Sequence, residues 1–222
     1  MENWAQSGET SVTRRVAFQA ADEGPNLEGF LHLPAGGSGP FRAAVVCHPH
    51  TMMGGTMDNA VIARVCQALA AAGRASLRFN FRGAGGSEGH FEDGVGEQDD
   101  VKGAVDFLHA QPEIDPDGLA AIGYSFGARV ALLHAARDRR LQRMVAIALV
   151  AHHYADPFLD DDARPKLFVV GEHDPLAPAS ALRRYVGRLQ PPKTLEVIPG
   201  ADHLFSGQVS RVAAVVANWL AA

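Results

Sequence analysis

A doubly wound α/β fold with a mostly parallel central sheet is what this sequence predicts, on three observations. Short apolar runs alternate with longer stretches of helical periodicity along nearly the whole chain. The inner run Ala43-Ala44-Val45-Val46-Cys47-His48 is continuously apolar up to its last residue, as strands are when helices cover both faces of a parallel sheet. The runs are separated by helices long enough for right-handed crossovers. At 222 residues the chain fits one α/β domain spanning 1–222, and no linker or internal repeat divides it.

Residues 12–19 and 27–33 read as two opening strands joined by a turn containing Asp22, Gly24, Pro25 and Asn26. Residues 43–48 form the next strand. Asp58 is the expected N-cap of a helix through Val61, Val65, Leu69 and Ala72, which Gly73 ends. A strand over 75–81 leads through a Gly-rich loop, 82–96, into a helix with Val101, Val105 and Leu108 on one face. Then follow a strand at 119–124, a helix at 126–137, strands at 144–151 and 167–171, a helix at 179–189 and a strand at 194–198. A closing helix, 206–220, sets Val209, Val212, Val216 and Leu220 on one face.

Composition narrows the function. With 47% hydrophobic and 20% charged residues the chain is an ordinary globular protein. A net charge of −5 and a pI near 6.0 exclude the basic field of a general nucleic-acid binder. The longest wholly apolar run, 144–151, is far shorter than the roughly 20 residues of a membrane span. The start Met1-Glu2-Asn3-Trp4 has neither the basic nor the apolar segment of a signal peptide, so a cytoplasmic location is expected. Cys47 and Cys66 are too few for a disulfide framework or a structural zinc site.

Gly123-Tyr124-Ser125-Phe126-Gly127 stands where a strand ends and a helix begins, the context in which a Gly-x-Ser-x-Gly turn projects a nucleophilic hydroxyl. The N-terminal N–H groups of the following helix favour negative charge developing there. A serine needs a base to take its proton, and the base needs an orienting acid. His203, in Gly200-Ala201-Asp202-His203, follows the last strand, and Asp174, in Glu172-His173-Asp174-Pro175, follows the strand at 167–171. The order Ser125, Asp174, His203 is the one known for this arrangement. Glu172 and Asp202 are rival acids, Asp202 being awkwardly placed as the chain neighbour of the base.

These motifs resemble the α/β-hydrolase superfamily, and within it the small capless prokaryotic esterase/lipase-like group. The resemblance runs from about 43 to 205 through His48-Pro49-His50, Gly54-Gly55-Thr56-Met57, Arg78-Phe79-Asn80-Phe81-Arg82-Gly83-Ala84-Gly85-Gly86-Ser87, Gly94-Val95-Gly96-Glu97, Gly123 to Gly127 and the two loops bearing Asp174 and His203. Where the family usually has His-Gly after the third strand, this chain has His48-Pro49. The resemblance implies an α/β-hydrolase fold without a cap domain. It also implies an oxyanion hole made of two backbone N–H groups, one from Phe126 and one from the loop after the third strand. There His50 aligns best, with Thr51 or Met52 as alternatives, and Pro49 has no N–H to give.

Other clusters carry less. His48-x-His50 and His152-His153 lack the spacing of a zinc motif, and the side chains of His48 and His50 read as structural. Gly83-Ala84-Gly85-Gly86 lacks dinucleotide-binding spacing, so neither metal nor cofactor is expected. Met52, Met53, Met57, Tyr154 and Phe158 are candidates to line an acyl pocket or to fill the core. The short interval between 151 and 167 leaves no room for a helical cap. The expected function is therefore a serine hydrolase, a carboxylesterase with an open site acting on small or short-chain esters. A thioesterase, lactonase or peptidase would use the same residues, and a non-catalytic hydrolase-fold binding protein is the rival from another class. The expected partner is a small-molecule ester, with no nucleic acid and no membrane.

Overall fold

The structure, a computed structural model, describes all residues except 1–10, 22, 156 and 158. The N-terminal start, Asp22 of the first turn and the pocket candidate Phe158 lie outside the described residues.

Eight strands form one sheet in the order β1-β2-β4-β3-β5-β6-β7-β8. They are β1 (Ser11–Gln19), β2 (Asn26–Pro34), β3 (Phe41–Cys47), β4 (Ala75–Phe79), β5 (Ile114–Tyr124), β6 (Leu141–Ile147), β7 (Lys166–Gly171) and β8 (Lys193–Ile198). Strand β2 runs antiparallel to both β1 and β4, and every pairing from β4 to β8 is parallel. Among the described residues, four helices fill crossovers, α1 (Ala60–Ala71), α2 (Glu97–His109), α3 (Phe126–Arg137) and α4 (Ala179–Arg188), and a fifth, α5 (Val209–Ala221), follows β8.

Alternation along the strands divides the core between the two faces of the sheet. Val45, Cys47, Leu77 and Ala121 pack with α2, α3 and α4. Ala44, Val46, Ile122 and Val145 pack with α1 and α5, where Val212, Val216 and Leu220 form the buried stripe expected of the closing helix. Such two-sided cover is why the inner strands read as unbroken apolar runs.

Several boundaries differ from expectation, each for a tertiary reason. The N-cap of α1 is Asn59, whose Oδ1 accepts from the Val61 N–H at 2.9 Å. The carboxylate of Asp58 is instead held by Arg78 of β4 at 2.6 Å. Strand β4 stops at Phe79, because Asn80 turns inward to bind the loop after β3. Strand β6 starts at Leu141 and ends at Ile147, so the apolar residues 148–151 lie beyond the sheet. There Ala148 takes a φ of 49° and Leu149 is fully buried: the hydropathy reported burial, not strand. Between β6 and β7 the described residues of 148–165 contain one 3-10 turn, Ala151–Ala155, and no α-helix. Among the described residues of this segment, no α-helix caps the carboxyl edge of the sheet.

Candidate active site

Six parallel strands bring the loops that follow them to one edge, where open α/β sheets bind ligands. Ser125 follows β5, Asp174 follows β7 and His203 follows β8. Ser125 adopts φ 55° and ψ −114°, a strained backbone for a residue with a side chain. Its N–H is fastened to the Ile147 carbonyl at 2.8 Å, so the turn is held from β6 as well as from its own strand.

The three side chains form one hydrogen-bonded series. Ser125 Oγ lies 3.1 Å from His203 Nε2, and His203 Nδ1 lies 2.7 Å from Asp174 Oδ2. The other Asp174 oxygen accepts the N–H groups of Leu176 and Ala177, both at 2.8 Å. Both carboxyl oxygens thus act as acceptors, so His203 donates from Nδ1 and leaves Nε2 to accept from the serine hydroxyl. Asp174 is 3% exposed, which removes water as a competitor for these bonds.

The rival acids are engaged elsewhere. Glu172 Oε2 accepts the Gly200 N–H at 2.8 Å, bracing the His203 loop from outside. Asp202 accepts the Ser206 N–H at 3.0 Å and its hydroxyl at 2.9 Å, and these bonds hold its carboxyl below the usual range. A residue that sequence reasoning missed is Tyr124: its buried hydroxyl donates to the His203 carbonyl at 2.8 Å. Its signal was present, since a tyrosine immediately before the serine points to the opposite side of the strand end.

In the loop after β3, His50 Nδ1 accepts the Met52 N–H at 3.2 Å, and the ring lies 5.0 Å from Phe126 and 4.7 Å from Phe91. The Met52 N–H is thereby occupied. The backbone N–H groups of Phe126, His50 and Thr51 donate to no backbone carbonyl among the described residues. Arg78 and Asn80 pin this loop to β4 through the Met57 carbonyl and N–H, both at 2.8 Å. Of the pocket candidates, Met57 and Tyr154 are buried, Tyr154 stacking on Tyr185, whereas Met52 and Met53 are exposed.

His48 is fully buried, and both ring nitrogens are engaged: Nδ1 with the Pro49 carbonyl at 2.6 Å, Nε2 with the Phe81 N–H at 3.0 Å. The ring is neutral, and burial pushes it down to about 4 from 6.5. His32 shifts the same way, to about 4, through burial and the Arg78 charge. His152 and His153 lie side by side on the 3-10 turn, ring centres 3.6 Å apart.

The His48 shift sets a pH dependence. Between pH 6.5 and 4 the unfolded chain protonates His48 and the folded chain does not. Stability is therefore full above 6.5 and falls as pH drops, by about 3 kcal/mol over the window. Asp100, raised to about 6 by burial despite Arg82, works in the opposite direction below pH 6, and two histidines outweigh it. Urea unfolding at pH 7 and pH 4.5 is expected to show this loss, and His48→Gln, which keeps an acceptor for Phe81, is expected to remove its His48 share. An unchanged pH slope in that variant would assign the acid sensitivity to other groups.

Comparison with known proteins agrees with this architecture. The chain is 31% identical to an uncharacterized protein of Rickettsia prowazekii over 185 residues, covering 80% of this chain and 77% of that one. It superposes on an alpha-beta serine hydrolase homologue from Coxiella burnetii with a TM-score of 0.83 and 28% identity, covering 93% and 97% of the two chains. An α/β serine hydrolase without lid from Xanthomonas campestris matches with a TM-score of 0.80 and 29% identity, over 93% and 92%. Residues 9–166 match the family described as X-Pro dipeptidyl-peptidase (S15 family), a match that includes Ser125 and stops before Asp174 and His203. On these grounds, and on a sheet wound to bring those loops to one edge, the chain belongs to the S15 family of the α/β-hydrolase superfamily.

Proposed function

We propose that the protein is a carboxylic ester hydrolase acting through Ser125, His203 and Asp174. The observation that carries this reading is the continuous hydrogen-bonded series from buried Asp174 through His203 to Ser125 Oγ. His203 Nε2 takes the hydroxyl proton as Oγ attacks the ester carbonyl, and Asp174 orients the ring and stabilises the imidazolium. The N–H groups of Phe126 and His50 meet the oxyanion, with Thr51 as the alternative to His50. Collapse of the tetrahedral intermediate passes the proton to the leaving alcohol and leaves an acyl-Ser125, which water hydrolyses by the reverse roles. No step draws on a metal or cofactor. With no α-helix among the described residues between β6 and β7 to cover the edge, the site suits short-chain esters or esters presented from outside rather than a chain threaded into a tunnel.

The test is fluorophosphonate labelling of wild type and Ser125→Ala, followed by turnover of p-nitrophenyl esters from acetate to palmitate, an acyl thioester and an Xaa-Pro p-nitroanilide. Labelling lost in the variant, with ester turnover exceeding thioester and amide turnover, is expected. Labelling with preferred thioester or anilide cleavage would keep the nucleophile and replace the substrate class. No labelling would make the protein a binding scaffold.

A further inference from the structure

Six large apolar side chains among the described residues are more than half exposed: Val12, Met52, Met53, Val95, Leu176 and Leu204. Five of them stand on loops at the carboxyl edge, four of these within three positions of His50, Asp174 or His203. Met52 and Met53 follow His50 and are 71% and 87% exposed. Leu176 follows Asp174 and donates its N–H to it, and Leu204 follows His203. Val95 follows Gly94, whose backbone packs beside the Phe126 ring and Arg129. Single exposed apolar residues are ordinary, but a set carried by the loops of the edge that bears the nucleophile marks what that edge meets.

What covers these side chains must leave Ser125 a reacting group. A second copy seated over them would close off the serine, whereas a surface that carries the ester would present it. Five surface cavities, of about 290 to 440 Å³, are each lined by residues other than Ser125, Asp174 and His203. Charge narrows the surface further. Loops 48–59, 80–96, 172–178 and 199–208 contain no lysine, and their one arginine, Arg82, is buried against Asp100 at 2.8 Å. Asp93 and Glu172 are exposed on them, so a negatively charged surface is repelled.

We propose that Met52, Met53, Val95, Leu176 and Leu204 form a docking ring for an uncharged or zwitterionic lipid surface, and that the ester reaching Ser125 is one displayed on it. This rests on the ester-hydrolase reading above and replaces the expectation that no membrane is a partner. The ring's side chains leave water on docking, the ester carbonyl arrives at Ser125 from outside, and the freed acid and alcohol return to the lipid phase or to water.

The experiment sediments the protein with phosphatidylcholine or phosphatidylglycerol vesicles and follows tributyrin hydrolysis across its solubility limit. It compares wild type, Met53→Gln/Val95→Gln and Val12→Gln, whose site lies at the start of β1. Wild type and Val12→Gln are expected to bind phosphatidylcholine vesicles better than phosphatidylglycerol and to accelerate when tributyrin emulsifies. The double variant is expected to lose roughly tenfold in vesicle affinity and in the ratio of emulsified to dissolved rates. The proposal is overturned by absent vesicle binding, by a preference for phosphatidylglycerol, by an unchanged ratio in the double variant, or by a wild-type dimer that the double variant dissociates. Fluorophosphonate labelling reports separately on Ser125: vesicle binding without labelling would sink the hydrolase reading and leave the ring standing.

Discussion

Asp174→Asn is expected to lower kcat on short-chain esters by roughly 10⁴, and His203→Ala by roughly 10⁶, each with KM changed little. The difference follows from the bonds around Asp174. Its Oδ1 already accepts the Leu176 and Ala177 N–H groups, so an asparagine must keep its carbonyl oxygen there. Its NH2 then faces His203 Nδ1, which has to accept. The imidazole proton moves to Nε2, the atom that should take the Ser125 proton, and the base is lost while the geometry survives. Removing His203 takes away proton transfer in both half-reactions. Steady-state kinetics on a p-nitrophenyl ester, with circular dichroism to verify folding, measures both effects. Glu172→Gln serves as the comparison and is expected to stay within about threefold of wild type, because an exposed loop bond is worth only about 1 kcal/mol. Asp174→Asn retaining a tenth of wild-type kcat would mean that another acid orients the histidine.

Gly127→Ala is expected to cost about 4 kcal/mol or more in stability, or to leave the protein insoluble. A Cβ at Gly127 would be driven into the carbonyl oxygens of Cys47 and His48, at the carboxyl end of the central strand β3. Backbone in the middle of a sheet cannot rotate aside as a side chain can. The tightness has a purpose: α3 must start close against β3 for Ser125 to hold its turn beside the loop that carries His50. Gly123 is under a similar constraint, since its Cβ would strike the Gly127 carbonyl. Gly187 is the counter-case. It lies in α4 with nothing within 4 Å of a built Cβ, so Gly187→Ala is expected to stabilise by about 0.5–1 kcal/mol. Urea midpoints of the two variants decide the matter. Equal and small effects would mean that α3 can shift on β3 without loss, and that the serine turn is not held by this contact.

The sequence by itself determined what short-range chemistry determines. Periods of two and of 3.6 placed the strands and helices, two-sided burial made β3 an unbroken apolar run, and Gly123 with Gly127 marked the only kind of turn on which α3 can begin at Ser125. It also determined that Ser125, Asp174 and His203 each follow a strand. Tertiary structure decided what depends on neighbours distant along the chain. Asn59 caps α1 because Arg78, on the adjacent strand, holds Asp58. Residues 148–151 look like strand because they are apolar and at least partly buried, yet the ladder with β7 ends at Ile147 and Val169, and beyond it only the Ala148 N–H still bonds to that strand. Which of Glu172, Asp174 and Asp202 meets His203 depends on how the loops after β7 and β8 face each other, and hydrophobicity carries no record of that. His48 is neutral because its two nitrogens find a carbonyl and an N–H contributed by different loops. The exposure of Met52, Met53, Val95, Leu176 and Leu204 is of the same kind. An apolar residue in a sequence is presumed to be core, and only folding, by exhausting the interior with other side chains, leaves these five in water on the loops of the carboxyl edge.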